Sequence, residues 1–363
     1  MFVPADGGGD QGEYFSVSKS GKNGYCVAVA GATGAIGSEM ISILEQRNFP
    51  VARLLPLASA NRPGRTIEFA DGNIDVGALD QCDFADVDLA LFSAGGERSK
   101  QFAPVAAAAG AIVIDNSSCF RRDADVPLVV AEVNSHTLAK RPPRGIIANP
   151  NCSTMQMVVA LKPLHDAARI KRIIVSTYQA VSGAGNKAID ELAASCGKML
   201  NGQEAESNIF PDRIAFNVIP HIDTFQDNGF TREEMKMVWE TRRILEDESI
   251  AISATAVRVP VFYGHSEAVY VETEKPLDAP AARRLLESAA GVKVIDQPIA
   301  GGYPTPLSHA AGGDDVLVGR IRTDPDVPGG LHLWVVSDNV RKGGALNAVQ
   351  LAELALGHKL WRK

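Results

Sequence analysis

Residues 25–47, YCVAVAGATGAIGSEMISILEQR, run from an apolar stretch to a helical pattern through glycines at 31, 34 and 37. YCVAVA is apolar without interruption, as a strand buried on both faces reads. Beyond the turn, Ile36, Met40, Ile41 and Leu44 fall on one helical face. Glycines between a strand and a helix let a backbone approach a pyrophosphate, whose charge then meets the helix N-terminus. Tight strand-to-helix packing asks for the same glycines, so the motif fixes a strand–turn–helix unit more firmly than its ligand.

The same alternation continues outward. RLLPLAS (53–59), DLALFSA (88–94) and AIVIDNSS (111–118) read as strands, the last after the alanine-rich APVAAAAG (103–110). Strand and helix in turn predict an α/β, doubly wound parallel sheet over residues 25–151. Downstream the pattern changes. RIIVSTYQAVSG, SATAVRVPVF, SEAVYVETE, DVLVGRIRT and LHLWVVSD are longer strands, separated by helical stretches at 186–200, 231–245 and 278–290. A large mixed or antiparallel sheet with helices against it, an α+β domain over residues 152–339, answers that pattern. The closing segment, 340–363, predicts a helix that packs back on the first domain. Residues 1–24 have neither the basic start and apolar centre of a signal peptide nor membrane-spanning length, and read as a flexible leader.

A chain of 363 residues is long enough for two domains, each with its own core. Lys and Arg total 36 against 43 Asp and Glu, a net charge of −7, and no basic stripe suggests nucleic acid. Any anion site must therefore be built locally. No stretch suggests a membrane span. Five scattered cysteines without a C-x-x-C pair argue against a disulfide framework or a zinc site, and fit a reducing cytoplasm.

Within LASANRPGR (57–65), Asn61, Arg62 and Arg65 stand where an NAD site usually has an acidic residue. Arginine suits a 2′-phosphate, which favours NADP; a solvated loop cation is the alternative. NPNCST (149–154) sets Cys152 at a helix start, where the dipole favours a thiolate. A small buried hydrophobe is the other reading of that cysteine. TYQAVSGAG carries Gln179, RVPVFYGHSEA carries Arg258 and His265, KMVWETRR carries Lys236 and Glu240 four apart on a helix, and IDNSSCFRR carries Arg121.

Taken together, NPNCST, TYQAVSGAG, RVPV…GHSEAVYVET, GATGAIG and SDNVRKGGALNAVQ resemble the aspartate-semialdehyde dehydrogenase family from Tyr25 onward. The resemblance implies a Rossmann-like NADP-binding domain followed by a catalytic and dimerisation domain. It implies NADPH-dependent reduction of L-aspartyl 4-phosphate to aspartate semialdehyde, with release of phosphate, in lysine, threonine, methionine and isoleucine biosynthesis. Cys152 would be the nucleophile that forms a thioester, His265 the acid/base, and Gln179 the group that orients the acyl carbon. Arg258 would hold the substrate carboxylate and Glu240 its ammonium, with Arg121, Lys236 and Asn151 around the phosphate. Gly31, Thr33, Gly34, Ala35, Ile36, Asn61, Arg62, Ser182, Gly183 and Asn339 would contact the cofactor. A homodimer or homotetramer through the second sheet is implied as well. The alternatives are a related N-acetylglutamyl-phosphate or malonyl-CoA reductase and, in another class, a non-catalytic nucleotide-binding regulator.

Overall fold

The computed structural model describes residues 24–59 and 65–360, so residues 1–23 of the leader, Asn61 and Arg62 lie outside the described residues. The first domain contains β1 (Tyr25–Ala30), α1 (Ala35–Gln46), β2 (Val51–Ala58), a hairpin of β3 (Thr66–Phe69) and β4 (Gly72–Asp75), and β5 (Gly77–Ala78). It continues with β6 (Leu89–Phe92), α2 (Gly96–Ala109), β7 (Ile112–Asp115), α3 (Ala131–Asn134) and β8 (Ile146–Ala148). Its sheet is parallel in the order β5-β2-β1-β6-β7-β8. Strands β1, β6 and β7 are apolar at nearly every position because both faces are covered. Val27 and Val29 pack with Met40, Ile43 and Leu44 of α1, whereas Ala28 and Ala30 pack with Phe92 and Ala106 on the other side. Pro56 sits inside β2, whose outer neighbour β5 pairs only with Leu57 and Ala58, so the missing N–H breaks no ladder there.

The second domain runs α4 (Cys152–Ala168), β9 (Ile170–Gln179), α5 (Asn186–Leu200), α6 (Arg232–Leu245), β10 (Ala251–Arg258), β11 (His265–Thr273), α7 (Ala279–Glu287), β12 (Val292–Val294), β13 (Val316–Thr323) and β14 (Gly330–Ser337). Its mixed sheet has the order β10-β9-β11-β14-β13-β12, parallel at both edges and antiparallel in the centre. The inner face, with Val175, Val269, Leu333 and Val335, meets α4.

Sequence reading expects a separate core in each domain, yet the main apolar cluster runs through both. It joins Ala30, Phe92 and Ala148 to Met155 and Met157 of α4, and those to Ile173 and Leu331. Helix α4 is buried all round from Ser153 to Leu161, as a helix between two sheets must be. The chain then returns through a π-helical turn, Arg341–Leu346, into α8 (Asn347–Gly357). Val349, Leu351 and Ala352 of α8 join the cluster of Val27 and Ile43, and Arg47 donates to Glu353 at 2.7 Å. Lys342, wholly buried, is held at 2.7 Å by both oxygens of Glu132.

Candidate active site

The turn after β1 folds as its glycines require. Gly31 has φ +88, and a Cβ there would stand 2.5 Å from Ser93 O; a Cβ on Gly37 would stand 2.2 Å from Gly31 O. Gly31 N–H and Ala32 N–H both donate to Leu57 O, at 2.8 and 3.1 Å. Helix α1 starts at Ala35 after Gly34, with no side-chain cap and no acidic residue in its first turn. A positive helix end beside a backbone without side chains fits a dinucleotide pyrophosphate. Ile36 packs against Gly344 of the returning turn. The loop after β6, Ser93 to Gly96, closes over Gly31, a neighbour that sequence reading missed although SAGGE repeats the strand–glycine–helix signal.

Cys152 is the first residue of α4. Its N-cap, Asn151, accepts through Oδ1 from Ser153 N–H at 3.1 Å and Thr154 N–H at 3.2 Å. Those N–H groups are therefore not free for an anion. Burial, reinforced by the Glu233 carboxylate, pushes the Cys152 thiol up to about 11, against the pull of Arg258 and Arg121. The expected fall toward the thiolate is thus corrected for the free protein: desolvation outweighs the helix end. A Cβ on Gly343 would stand 2.7 Å from Cys152 Cβ, so the returning turn backs directly onto the thiol-bearing residue.

His265 opens β11, fully buried. Its Nδ1 accepts from Ala180 N–H at 3.0 Å and its Nε2 has no partner. Burial and then Arg258 lower its pKa to about 3, so the ring is neutral and the bond to Nδ1 leaves the proton on Nε2. Gln179, at the end of β9, donates from Nε2 to Glu233 Oε1 at 3.1 Å. Arg258, at the end of β10, donates from Nη1 to Ala180 O at 2.7 Å and interacts electrostatically with both Glu233 and Cys152. Gly183 lies where a Cβ would meet Arg258 Nη1 at 3.2 Å and His265 Nε2 at 3.4 Å. Asn339 bonds Ser182 through Nδ2 at 2.9 Å and accepts from Gly264 N–H at 2.9 Å, which ties the turns before and after these groups together.

Helix α6 requires two corrections. Its carboxylate beside the nucleophile is Glu233, not Glu240. Glu233 accepts from Asn151 Nδ2 at 2.9 Å, Gln179 Nε2 at 3.1 Å and Lys236 Nζ at 2.9 Å. Burial alone would raise its pKa, but Lys236, Asn151 and Gln179 bring it down to about 2. Glu240 is occupied elsewhere: Oε1 takes Arg121 Nη1 at 3.1 Å and Oε2 takes Asn151 N–H at 2.7 Å. Arg121 further donates to Asn149 O at 2.8 Å and Asn116 O at 2.9 Å, so Glu240 helps to orient a guanidinium. Lys236 pairs with Glu233 and with Asp223, the latter at 2.8 Å, and makes no pair with Glu240. Asn151 spends its side-chain oxygen on the α4 cap and one Nδ2 hydrogen on Glu233, which leaves the other Nδ2 hydrogen to donate. The signal for Glu233 was present in the sequence, since residues 233, 236 and 240 share one helical face.

A family model described as "Semialdehyde dehydrogenase, NAD binding domain" matches residues 26–141, and one described as "Semialdehyde dehydrogenase, dimerisation domain" matches residues 161–342. Aspartate-semialdehyde dehydrogenase of Legionella pneumophila is 58% identical over 328 residues, which cover 90% of this chain and 94% of that one. Aspartate-semialdehyde dehydrogenase 2 of Vibrio cholerae is 55% identical, covering 91% and 97%. A crystal structure of aspartate semialdehyde dehydrogenase II from Vibrio cholerae complexed with ASA superposes with a TM-score of 0.90 at 53% identity, covering 93% and 99%. On these matches, and on the motifs from Gly31 to Gln350 that carry them, the chain belongs to the aspartate-semialdehyde dehydrogenase family.

Proposed function

We propose that this oxidoreductase reduces L-aspartyl 4-phosphate to L-aspartate 4-semialdehyde with NADPH, releasing phosphate. The observation that carries the reading is the charge pattern around Cys152: a buried guanidinium, Arg258, and a buried ionised carboxylate, Glu233, both within electrostatic reach of one thiol. An amino acid with a free carboxylate and a free ammonium complements that pair. An N-acylated substrate would leave Glu233 without a cation, which disfavours the acetylglutamyl alternative.

Arg258 holds the α-carboxylate and Glu233 the α-ammonium, which sets the 4-carbonyl against Cys152. Lys236 and Arg121 supply positive charge for the phosphate. The sulfur attacks the carbonyl carbon as the C–O bond to phosphate breaks and the thiol proton passes to the departing phosphate oxygen, leaving a thioester on Cys152. When bound along Gly31, Thr33, Gly34 and Ala35, the nicotinamide cofactor supplies the hydride that reduces the thioester carbonyl. His265, holding its proton at Nε2, donates to the oxyanion, and Gln179 can add a second, uncharged donor. Collapse of the tetrahedral adduct frees the aldehyde and returns the sulfur. Preference for the 2′-phosphate rests on Arg62 in the ANRPGR segment.

A dimer through the second sheet completes the reading. Ile174 and Tyr178 are 39% and 38% exposed on its outer face, where the Tyr178 ring lies tilted against Trp334 at 5.4 Å and Tyr270 against His332 at 4.9 Å. Among the described residues no helix is long and apolar enough to cross a membrane, in keeping with a cytoplasmic enzyme. The test is reduction of NADP or NAD by aspartate semialdehyde with and without phosphate. Turnover with NADP that requires phosphate is expected. Equal turnover without phosphate, or turnover only with N-acetylglutamate semialdehyde, overturns the assignment.

A further inference from the structure

The inner face of the second sheet carries two polar rows beneath α4. The upper row is the site: Cys152 on the helix, His265 on β11 and Gln179 on β9. Four residues along α4 stands Gln156, and two residues along the strands stand Glu267 and Thr177, steps of about 6 Å and 6.6 Å in the same direction. Glu267 pairs directly across from Thr177 on β9 and Val335 on β14.

Glu267 is 0% exposed, and neither of its oxygens has a hydrogen-bond partner. Gln156, also 0% exposed, accepts through Oε1 from Ser337 Oγ at 2.8 Å. Its amide faces Glu267, but Nε2 closes no bond. On the other side, Thr177 Oγ1 donates to Gln179 Oε1 at 3.2 Å, and Gln179 donates to Glu233. Two hydrogen-bonded pieces thus flank Glu267: Ser337–Gln156 on the helix side, and Thr177–Gln179–Glu233, whose Thr177 is its cross-strand neighbour.

We propose that the Glu267 carboxyl is a positioning residue that joins these two pieces and thereby fixes Gln179 and the first turn of α4 relative to each other. The proposal rests on the reading of Cys152 and Gln179 as the substrate-handling groups. Joining takes one acceptor and one donor: an oxygen for Gln156 Nε2–H and an O–H for Thr177 Oγ1, which keeps a lone pair beyond its bond from Val257 N–H at 3.3 Å. A neutral carboxyl offers both, whereas a carboxylate has no O–H. Burial without a counter-charge supplies the neutral form, since it pushes Glu267 well above the usual carboxylate range. This group takes no part in bond making. It acts through Gln156 and Thr177.

Two variants and a spectrum test it. Glu267→Gln keeps a neutral donor and acceptor in the same shape, while Glu267→Met keeps the volume and removes both. Glu267→Gln is expected within about threefold of wild-type kcat, and Glu267→Met to lose roughly 10- to 100-fold in kcat, the scale of a small misplacement, at an unchanged cofactor KM and thermal midpoint. Wild-type kcat in Glu267→Met, or equal loss in both variants, overturns the proposal. The infrared difference between wild type and Glu267→Gln at neutral pH should contain the carbonyl stretch of a protonated carboxyl. Its absence overturns the proposal whether or not the Met variant folds. Wild type that is inert with aspartate semialdehyde refutes the substrate reading instead, and the infrared result still decides the state of Glu267.

Discussion

At Cys152 the thiol is held protonated, at about 11, by burial and by Glu233. Cys152→Ser should lose nearly all turnover and still bind cofactor, because the Gly31–Gly37 turn belongs to another element. Calorimetric titration of cofactor beside steady-state rates checks this, and appreciable turnover in the serine variant would remove Cys152 from the covalent step. The two glutamates of α6 separate just as cleanly. Glu233→Gln removes the charge opposite the ammonium, a contact of about 1.5–3 kcal/mol, so KM for aspartate semialdehyde should rise roughly 10- to 100-fold at unchanged cofactor affinity. Glu240→Gln instead weakens a pair with Arg121 in which the two side chains are 4% and 8% exposed, and should cost about 3 kcal/mol of stability. Kinetics and denaturation midpoints of the two variants distinguish these outcomes, and the reverse pattern would restore Glu240 as the ammonium ligand. Helical spacing could not choose between them. The choice is made by Asn151 and Gln179, which reach Glu233 from 82 and 54 residues away.

At the scale of elements, the strand–glycine–helix opening, the strand that follows His265 and the helix beginning at Cys152 were all legible, because each is written in local pattern. The hairpin β3–β4 and strand β8 were not, since four and three residues carry too little periodicity to stand out. Nor was the role of the turn Arg341–Leu346, whose glycines read as the start of the last helix. There Gly343 is required by space, not by backbone angle: a Cβ would stand 2.7 Å from Cys152 Cβ and 3.2 Å from its Cα. Gly343→Ala should therefore push the first turn of α4 and lower kcat by ten-fold or more, the scale of a displaced reacting atom, with a smaller effect on folding. The alkylation rate of Cys152 should change in the same variant. A variant with unaltered alkylation and unaltered kcat would mean that the turn yields without moving the nucleophile.

Over the whole molecule, the two sheets were visible in the sequence as two patterns, but their common core was not, because pattern reports which residues are buried and not against what. Helix α4 makes that core continuous and sets the active site at its upper end, so the site's charges are part of the molecule's stability. Below its ordinary 6.5 an unfolded His265 binds a proton that the native ring refuses down to about 3, so stability falls with acid across that window. Glu233 acts in the same direction between 4.5 and about 2, because the native carboxylate stays ionised where the unfolded one does not. Cys152 acts at the other end, between 9 and about 11, where the unfolded thiol ionises and the native one does not, so stability falls as pH rises. Between pH 6.5 and 5, His265 is the one of these three that titrates differently in the two states, and its share is about 2 kcal/mol at 1.36 kcal/mol per pH unit. His265→Asn should accordingly differ from wild type by about 2 kcal/mol in the change of unfolding free energy over that interval, Glu267 contributing its opposite slope equally to both, while the two profiles run parallel above pH 7. Urea denaturation at half-unit steps of pH measures both. Parallel profiles down to pH 5 would show that His265 takes up its proton in the native state, and would replace the neutral Nε2–H donor by an imidazolium.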